Sequence, residues 1–430
     1  MTGSEQQLSA PEQVTSGVEP PAARRQRLTT GALIGLVGVL LLVLAFTTHG
    51  SARFALSDAF AAVKLPTVSI PGLTTVIVCT VLCLAAAAGF LSGRLGRRRL
   101  AWVGAVGGVA FVLGFLAWAA AGRDLPFPVS NQFAGTLEVA TPLVLGALAG
   151  VLCERAGVIN VAIEGQFLTA ALAASIVGSV THSIAAALIA AILAGLGMAA
   201  LLAVFSIKYL VNQVVLGVVL NLLATGITGF VFDQLVQPMS DTLNSAPVFE
   251  SIAIPGLSAI PFLGPIIFDQ SILAYLAGVS VLVVWILLYK TTWGLRVRAV
   301  GEHPKAADTV GISVIGIRWS AVLAGGVFAG LGGAFFTIGA TGSFSKELTV
   351  GNGFVALAAV IMGRWHPGWS AIMALLFGFV TQMSSQLQTL NTPVPSQFLL
   401  ILPYVATVIA VAGLIGRVRA PASDGEPYEK

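Results

Sequence analysis

Ionisable and amide side chains are scarce in this sequence, so the few that interrupt its apolar runs mark where chemistry could be done. The segment Cys153–Gln166, CERAGVINVAIEGQ, places Glu154, Arg155, Asn160 and Glu164 between and within two such runs. In a bilayer an ionisable group at depth costs about 2.5–3.5 kcal/mol on insertion scales, so it faces a partner or a water-filled path. Two readings fit. In one, Gly157 and Asn160 form a tight turn, Glu154 and Arg155 sit at the headgroups, and a neighbouring helix satisfies Glu164. In the other, a broken helix lines a translocation pathway, because irregular backbone at depth is tolerated only where protein or a cavity covers it.

A later apolar run carries Asn212, Gln213, Asn221 and Thr225. Positions 214, 218, 221 and 225 share one helical face, so a polar stripe could line a pore or hydrogen-bond the bundle together. The candidate pathway residues are therefore Asn160, Glu164, Asn212, Gln213 and Asn221. The third unusual segment is basic: TTWGLRVRAVGEHPKAADTVGI, Thr291–Ile312. Its punctuation predicts a short helix over Trp293–Val300 that stops at Gly301. A second starts with Pro304 at its first position and stops near Gly311. Composition alone reads such a charge run as a solvated loop.

Other chemistries find no residues. The four histidines, His49, His182, His303 and His366, lie near the ends of apolar runs or in loops, without an HExxH pattern or nucleophile elbow. Cys79, Cys83 and Cys153 sit in or beside apolar runs and read as small buried hydrophobes, with no metal site implied. No lysine follows a glycine, so no phosphate-binding loop is present and no ATPase is expected in this chain.

The elements that must position these residues are membrane spans. Of 430 residues, 57% are hydrophobic and 9% charged, against about 25% charged in an ordinary soluble domain. The expected fold is all-α, a polytopic transmembrane bundle of about 10–12 spans. The runs are 31–48, 72–92, 101–121, 133–152, 160–181, 184–205, 211–232, 272–289, 318–340, 344–363, 368–388 and 397–416. Glycines four apart, Gly31 and Gly35, Gly104 and Gly108, Gly146 and Gly150, Gly326 and Gly330, predict closely packed helices. With both termini cytoplasmic, all Lys and Arg except Arg53, Lys64, Arg123 and Lys346 fall inside, as the positive-inside rule requires. The basic clusters are topology signals rather than a nucleic-acid surface. The expected parts are a disordered tail 1–28, N-terminal transmembrane helices 29–122, a main transmembrane domain 123–418 with its basic loop at 291–317, and a C-terminal tail 419–430.

ERAGVINVAIEG at Glu154–Gly165, NQVVLGVVLNLLATGITGF at Asn212–Phe230, WGLRVRAVGEHPKAADTVGI at Trp293–Ile312 and GFVALAAVIMGRWHPGW at Gly353–Trp369 stand in one order along the chain. Together they resemble the binding-protein-dependent permeases of bacterial ABC importers, in the branched-chain amino acid and simple-sugar superfamily, nearest its nucleoside-type branch. The resemblance covers roughly Leu137–Leu414. It implies a multi-pass protein of the bacterial cytoplasmic membrane whose basic loop carries a coupling helix. Gly294, Leu295, Arg296, Arg298, Ala299, Gly301, Glu302 and Pro304 would contact the ATPase, with Arg296 and Arg298 as charged grips. It also implies ABC ATPase subunits that use ATP-Mg, a second related permease in a heterodimer, and an extracytoplasmic solute-binding protein. No cofactor is expected in this chain. Simple sugars or amino acids are the alternative cargo. An ion-coupled secondary transporter using Glu138, Glu154 and Glu164 is the alternative class.

Overall fold

The structure is a computed structural model and describes residues 21–57, 64–390, 392, 395, 397–399, 401–403 and 419–429. The chain opens with α1 (Pro21–Ala45), strands β1 (Ser51–Ala55) and β2 (Val68–Pro71), α2 (Gly72–Ser92), α3 (Arg97–Ala120) and β3 (Phe127–Pro128). Then come α4 (Val129–Arg155), α5 (Ile163–Thr181), α6 (Ile184–Ala203) and α7 (Gln213–Val231), followed by the short α8 (Ser240–Leu243), β4 (Ser251–Ala253), α9 (Leu263–Ile267) and β5 (Asp269–Ser271). The last third holds α10 (Ile272–Lys290), α11 (Thr292–Glu302), α12 (Pro304–Thr309), α13 (Val314–Ala334), α14 (Asn352–Met362) and α15 (Pro367–Thr389). Wider π turns extend α6, α7 and α13. Among the described residues ten helices are long and apolar enough to cross a membrane, so the polytopic helical bundle is the architecture.

Two compact units divide the chain, one through Thr47 with Thr74–Phe115, the other Thr48–Leu73 with everything from Leu116. In the first, small residues bring backbones together: a Cβ on Gly31 would lie 2.9 Å from Cβ of Phe90, and one on Gly114 2.7 Å from that of Cys79. Within the second, β1 pairs antiparallel with β2 and parallel with β3, and α4 is buried at every residue from Ala140 to Glu154. Close packing recurs where the glycine spacing predicts it, since Gly195 of α6 abuts both Gly326 and Gly330 of α13. Gly108 is an exception, with nothing within 4 Å of its would-be Cβ. Large apolar residues face outward instead of inward, as Val215, Val219 and Leu222 do on α7, because lipid rather than water is the solvent.

The cations expected on the far side from the basic loop do cluster. Lys346 Nζ lies 2.6 Å from Asp233 Oδ1, and Arg53 donates to the carbonyls of Arg123 and Asp124 at 2.6 Å. Three expectations change. Residues 21–28, read as tail, form the start of α1, because Pro21 opens a run of good helix formers. Gly301 does not stop its helix, which runs on to Glu302. The run 344–363 is not one span: only α14 is helical, preceded by turns through which Glu347, Val350 and Gly351 adopt positive φ. Its 11 residues reach about 16 Å, half the hydrocarbon thickness. Most of the run 397–416 lies outside the described residues, as do Arg417, Lys430 and tail residues 1–20.

Candidate functional site

At the end of α4, Gly157 takes φ +84° and its N–H donates to the Glu154 carbonyl at 3.0 Å, a glycine-terminated helix end. The chain then runs without helical bonding to Ile163, yet Val158, Asn160 and Ala162 are fully buried. Buried backbone without ladder partners must find others, and amide side chains supply them here. Gln213 Oε1 accepts from the Ile159 N–H at 2.7 Å. Asn221 donates to the Val161 carbonyl at 2.9 Å and accepts from the Gly165 N–H at 2.8 Å. Asn160 donates to Gln166 Oε1 at 3.2 Å. Asn212 stands apart, capping α7 by accepting from the N–H groups of Val214 and Val215 at 3.1 Å. Three of the five candidate pathway residues thus hold the broken segment, and a fourth starts the helix beside it.

Glu164 is the fifth. Its carboxylate accepts from the Gly351 N–H at 2.8 Å, the Gly353 N–H at 2.6 Å and the Thr349 hydroxyl. Two of these donors are free backbone groups at the start of α14, so a negative charge meets the positive end of a half-helix. Thr349 and Gly353 are buried, and a Cβ on Gly353 would lie 2.4 Å from the Glu164 nitrogen. Given the length of α14, this contact sits about half a bilayer from the basic loop.

The other end of α14 is fastened to the same broken segment. Arg364 and Trp365 both have φ +54°, unusual for non-glycine residues and costing about 1–3 kcal/mol each unless the surroundings enforce it. The surroundings do so: Trp365 Nε1 donates to the Glu154 carboxylate, and Arg155 Nε donates to the Trp365 carbonyl at 2.8 Å. Sequence reasoning missed this pairing, although the tryptophan inside GRWHPGW was a visible signal. A ring stack extends it, with Tyr289 5.3 Å from His366 and 4.9 Å from the Arg298 guanidinium.

Helices α11 and α12 form the basic loop. Thr291 caps α11 by accepting from the Gly294 N–H at 3.1 Å, and Pro304 opens α12 as expected. Leu295, Arg296 and Glu302 are exposed, while Gly294, Val297, Val300 and Gly301 face the membrane bundle. A Cβ on Gly301 would lie 2.2 Å from the Arg155 carbonyl oxygen. The two arginines read as twin grips are separated: Arg296 points out, and Arg298 folds back over Tyr289. Ala299 and Pro304 are half-buried between these faces.

Residues 419–429 pack against this unit, which the polar composition of the tail did not foretell. The Ser423 N–H donates to the Gly301 carbonyl at 2.9 Å, and Arg318 donates to the Glu426 carbonyl at 2.9 Å. Arg318, counted among the loop cations, is in fact 2% exposed. Burial pushes the Asp424 carboxyl up to about 7, although the Arg318 charge and the Gly425 N–H pull the other way. The docked tail therefore holds its proton more tightly than a free one, and docking strengthens as pH falls from about 7 toward about 4. Hydrogen exchange at residues 419–429, corrected for intrinsic rate, is expected to slow severalfold between pH 8 and pH 5.5, and Asp424→Asn to remove that difference.

Among the described residues no group of three or more His, Cys, Asp or Glu could hold a metal ion. What the geometry can do is mechanical. One rigid unit joins an exposed helix at the loop side to a capped half-helix at mid-depth. The family whose model describes a branched-chain amino acid transport system permease component matches residues 132–413. The chain belongs to that family and is a multi-pass membrane permease. It is 38% identical to the guanosine ABC transporter permease protein NupQ of Bacillus subtilis, over 69% of this chain and 95% of that one. It is 36% identical to the nucleoside ABC transporter permease protein NupC of Lactococcus lactis, over 69% and 96%. A glucose ABC transporter permease protein of Haloferax volcanii, TsgB13, is 31% identical over 60% and 72%. No solved structure matches the chain.

Proposed function

We propose that this chain is the nucleoside-translocating permease of an ATP-driven importer, paired with a second related permease, two ATPase subunits and an external binding protein. Both termini and the α11–α12 loop face the cytoplasm. The observation that carries the coupling is the seat of α11, whose Gly301 lies directly on the Arg155 carbonyl. Movement of the exposed face, Leu295, Arg296, Ala299 and Glu302, passes to the end of α4 without slack, because packed cores are bistable rather than compliant. Arg298 holds that helix to Tyr289. From α4 the movement reaches Trp365 and α14, and so the Glu164 contact at mid-depth. Asn160, Gln213 and Asn221 frame the pathway by keeping its broken wall in shape. The nucleoside cargo is supported by the relatives similar over most of their length.

Proteoliposomes holding the complete transporter and its binding protein test this reading. ATP-dependent accumulation of labelled guanosine or adenosine is expected. Accumulation of ribose or leucine instead, or nucleoside uptake by this chain alone under a proton gradient, would overturn it.

A further inference from the structure

The exposed positions on α7 are Val214, Val215, Val218, Val219 and Leu222, all apolar. The seam between α4 and α15 departs from that rule at the end remote from Trp365. There Asn131 and Glu138 of α4 and Ser385 of α15 are exposed, and Gln382 is half-exposed. Gln132 donates to the Phe379 carbonyl at 3.0 Å, which fixes the facing sides of the two helices. The rings of Phe133 and Phe379, 6.1 Å apart, close one flank of the seam. On the other flank Gln382 lies over Gly135, where a Cβ would come within 2.4 Å of its amide nitrogen. Asn131, Gly135 and Glu138 recur four and three residues apart, so they share that second flank. Gln382, Ser385 and Thr389 keep the same spacing on α15.

Glu138 lies about 14 Å along α4 from its first residue, well inside the hydrocarbon. Four residues later Pro142 interrupts the helix and has no N–H to offer the Glu138 carbonyl. A backbone acceptor and a carboxylate therefore stand together on an open face. Against lipid that carboxylate would cost about 2.5–3.5 kcal/mol, so it meets water.

We propose that this flank, Asn131, Glu138, Gln382 and Ser385, is the solute path on the side away from the coupling helix. A nucleoside is read there by two hydrogen bonds from its ribose diol to the Glu138 carboxylate and by amide contacts from Asn131 and Gln382 to the base. This deepens the nucleoside reading above and depends on it. In proteoliposomes of the complete transporter, Glu138→Cys, Ser385→Cys and, as an apolar-face control, Leu222→Cys are treated with a membrane-impermeant methanethiosulfonate from the binding-protein side. The natural cysteines Cys79, Cys83 and Cys153 are buried and give little background. Uptake of a nucleoside by the wild type comes first, and its failure would count against the nucleoside reading rather than against this path. Given it, both path cysteines are expected to react at least about tenfold faster than Leu222→Cys, with loss of uptake. Nucleoside and binding protein together should slow the reaction. Reaction no faster than the control, modification that leaves uptake intact, or cross-linking of either cysteine to the partner permease would overturn the assignment. Ser385→Cys carries the test if Glu138→Cys does not assemble.

Discussion

Glu164→Gln lowers solute uptake by at least about tenfold and lowers the melting temperature of the purified chain. The carboxylate accepts from two backbone N–H groups and a hydroxyl at the head of α14. Glutamine offers one acceptor oxygen and turns an N–H toward another N–H. The loss of one charge-assisted bond is worth about 1.5–3 kcal/mol, and loss of charge at a helix start adds about 0.3–2 kcal/mol. At about 1.36 kcal/mol per factor of ten, even the low end of that sum exceeds a tenfold effect. Water cannot substitute at mid-depth as it would at a surface helix. Glu164→Asp keeps the charge with a shorter reach and should fall between. Uptake in proteoliposomes and thermal melting in detergent check this, and a variant unchanged in both would make Glu164 a spectator.

Gly301→Ala is the second large effect. The new methyl would stand 2.2 Å from the Arg155 carbonyl oxygen, a backbone atom held by the end of α4. Overpacking of this kind costs about 1–3 kcal/mol, and the relief available is for α11 to lift from its seat. The expected result is a chain recovered from membranes at normal yield that loses at least about tenfold in ATP-dependent uptake, since 1.4 kcal/mol already suffices for that. Gly301→Val should be worse. Ala299→Gly, on the half-buried side of the same helix, serves as the mild control. Uptake near the wild-type rate in Gly301→Ala would show that the seat has slack.

Several of these features were legible in the sequence and others were not, for separable reasons. Polar residues inside apolar runs announced the break at Glu154–Glu164 and the helix at Thr291–Glu302, because a charge at depth needs a cause. The half-length of α14 was hidden, since averaging Phe354–Met362 with the residues before them yields an apolar window that passes for a full span. Its capping donors at Gly351 and Gly353 are backbone groups and carry no side-chain label. Asn160, Gln213 and Asn221 were visible as polar, but whether an amide faces a solute or a neighbouring carbonyl is decided by partners about 55–60 positions away. Trp365 meets Glu154 across still more chain. The docked tail was least legible, as Ala420–Glu429 reads as solvated sequence while its partner Gly301 lies more than a hundred residues upstream.

That tail has a consequence for biogenesis. Residues 419–429 follow every described span in chain order, so they leave the ribosome only after those spans have been handed to the insertion machinery. The Gly301 carbonyl and the Arg318 guanidinium, which the tail satisfies, therefore remain unmet through all of that time. The surface offered to an ATPase is completed last, and a nascent chain still threading into the bilayer presents an unfinished one. Order of synthesis alone thus delays recruitment of the motor until the channel it drives is in place.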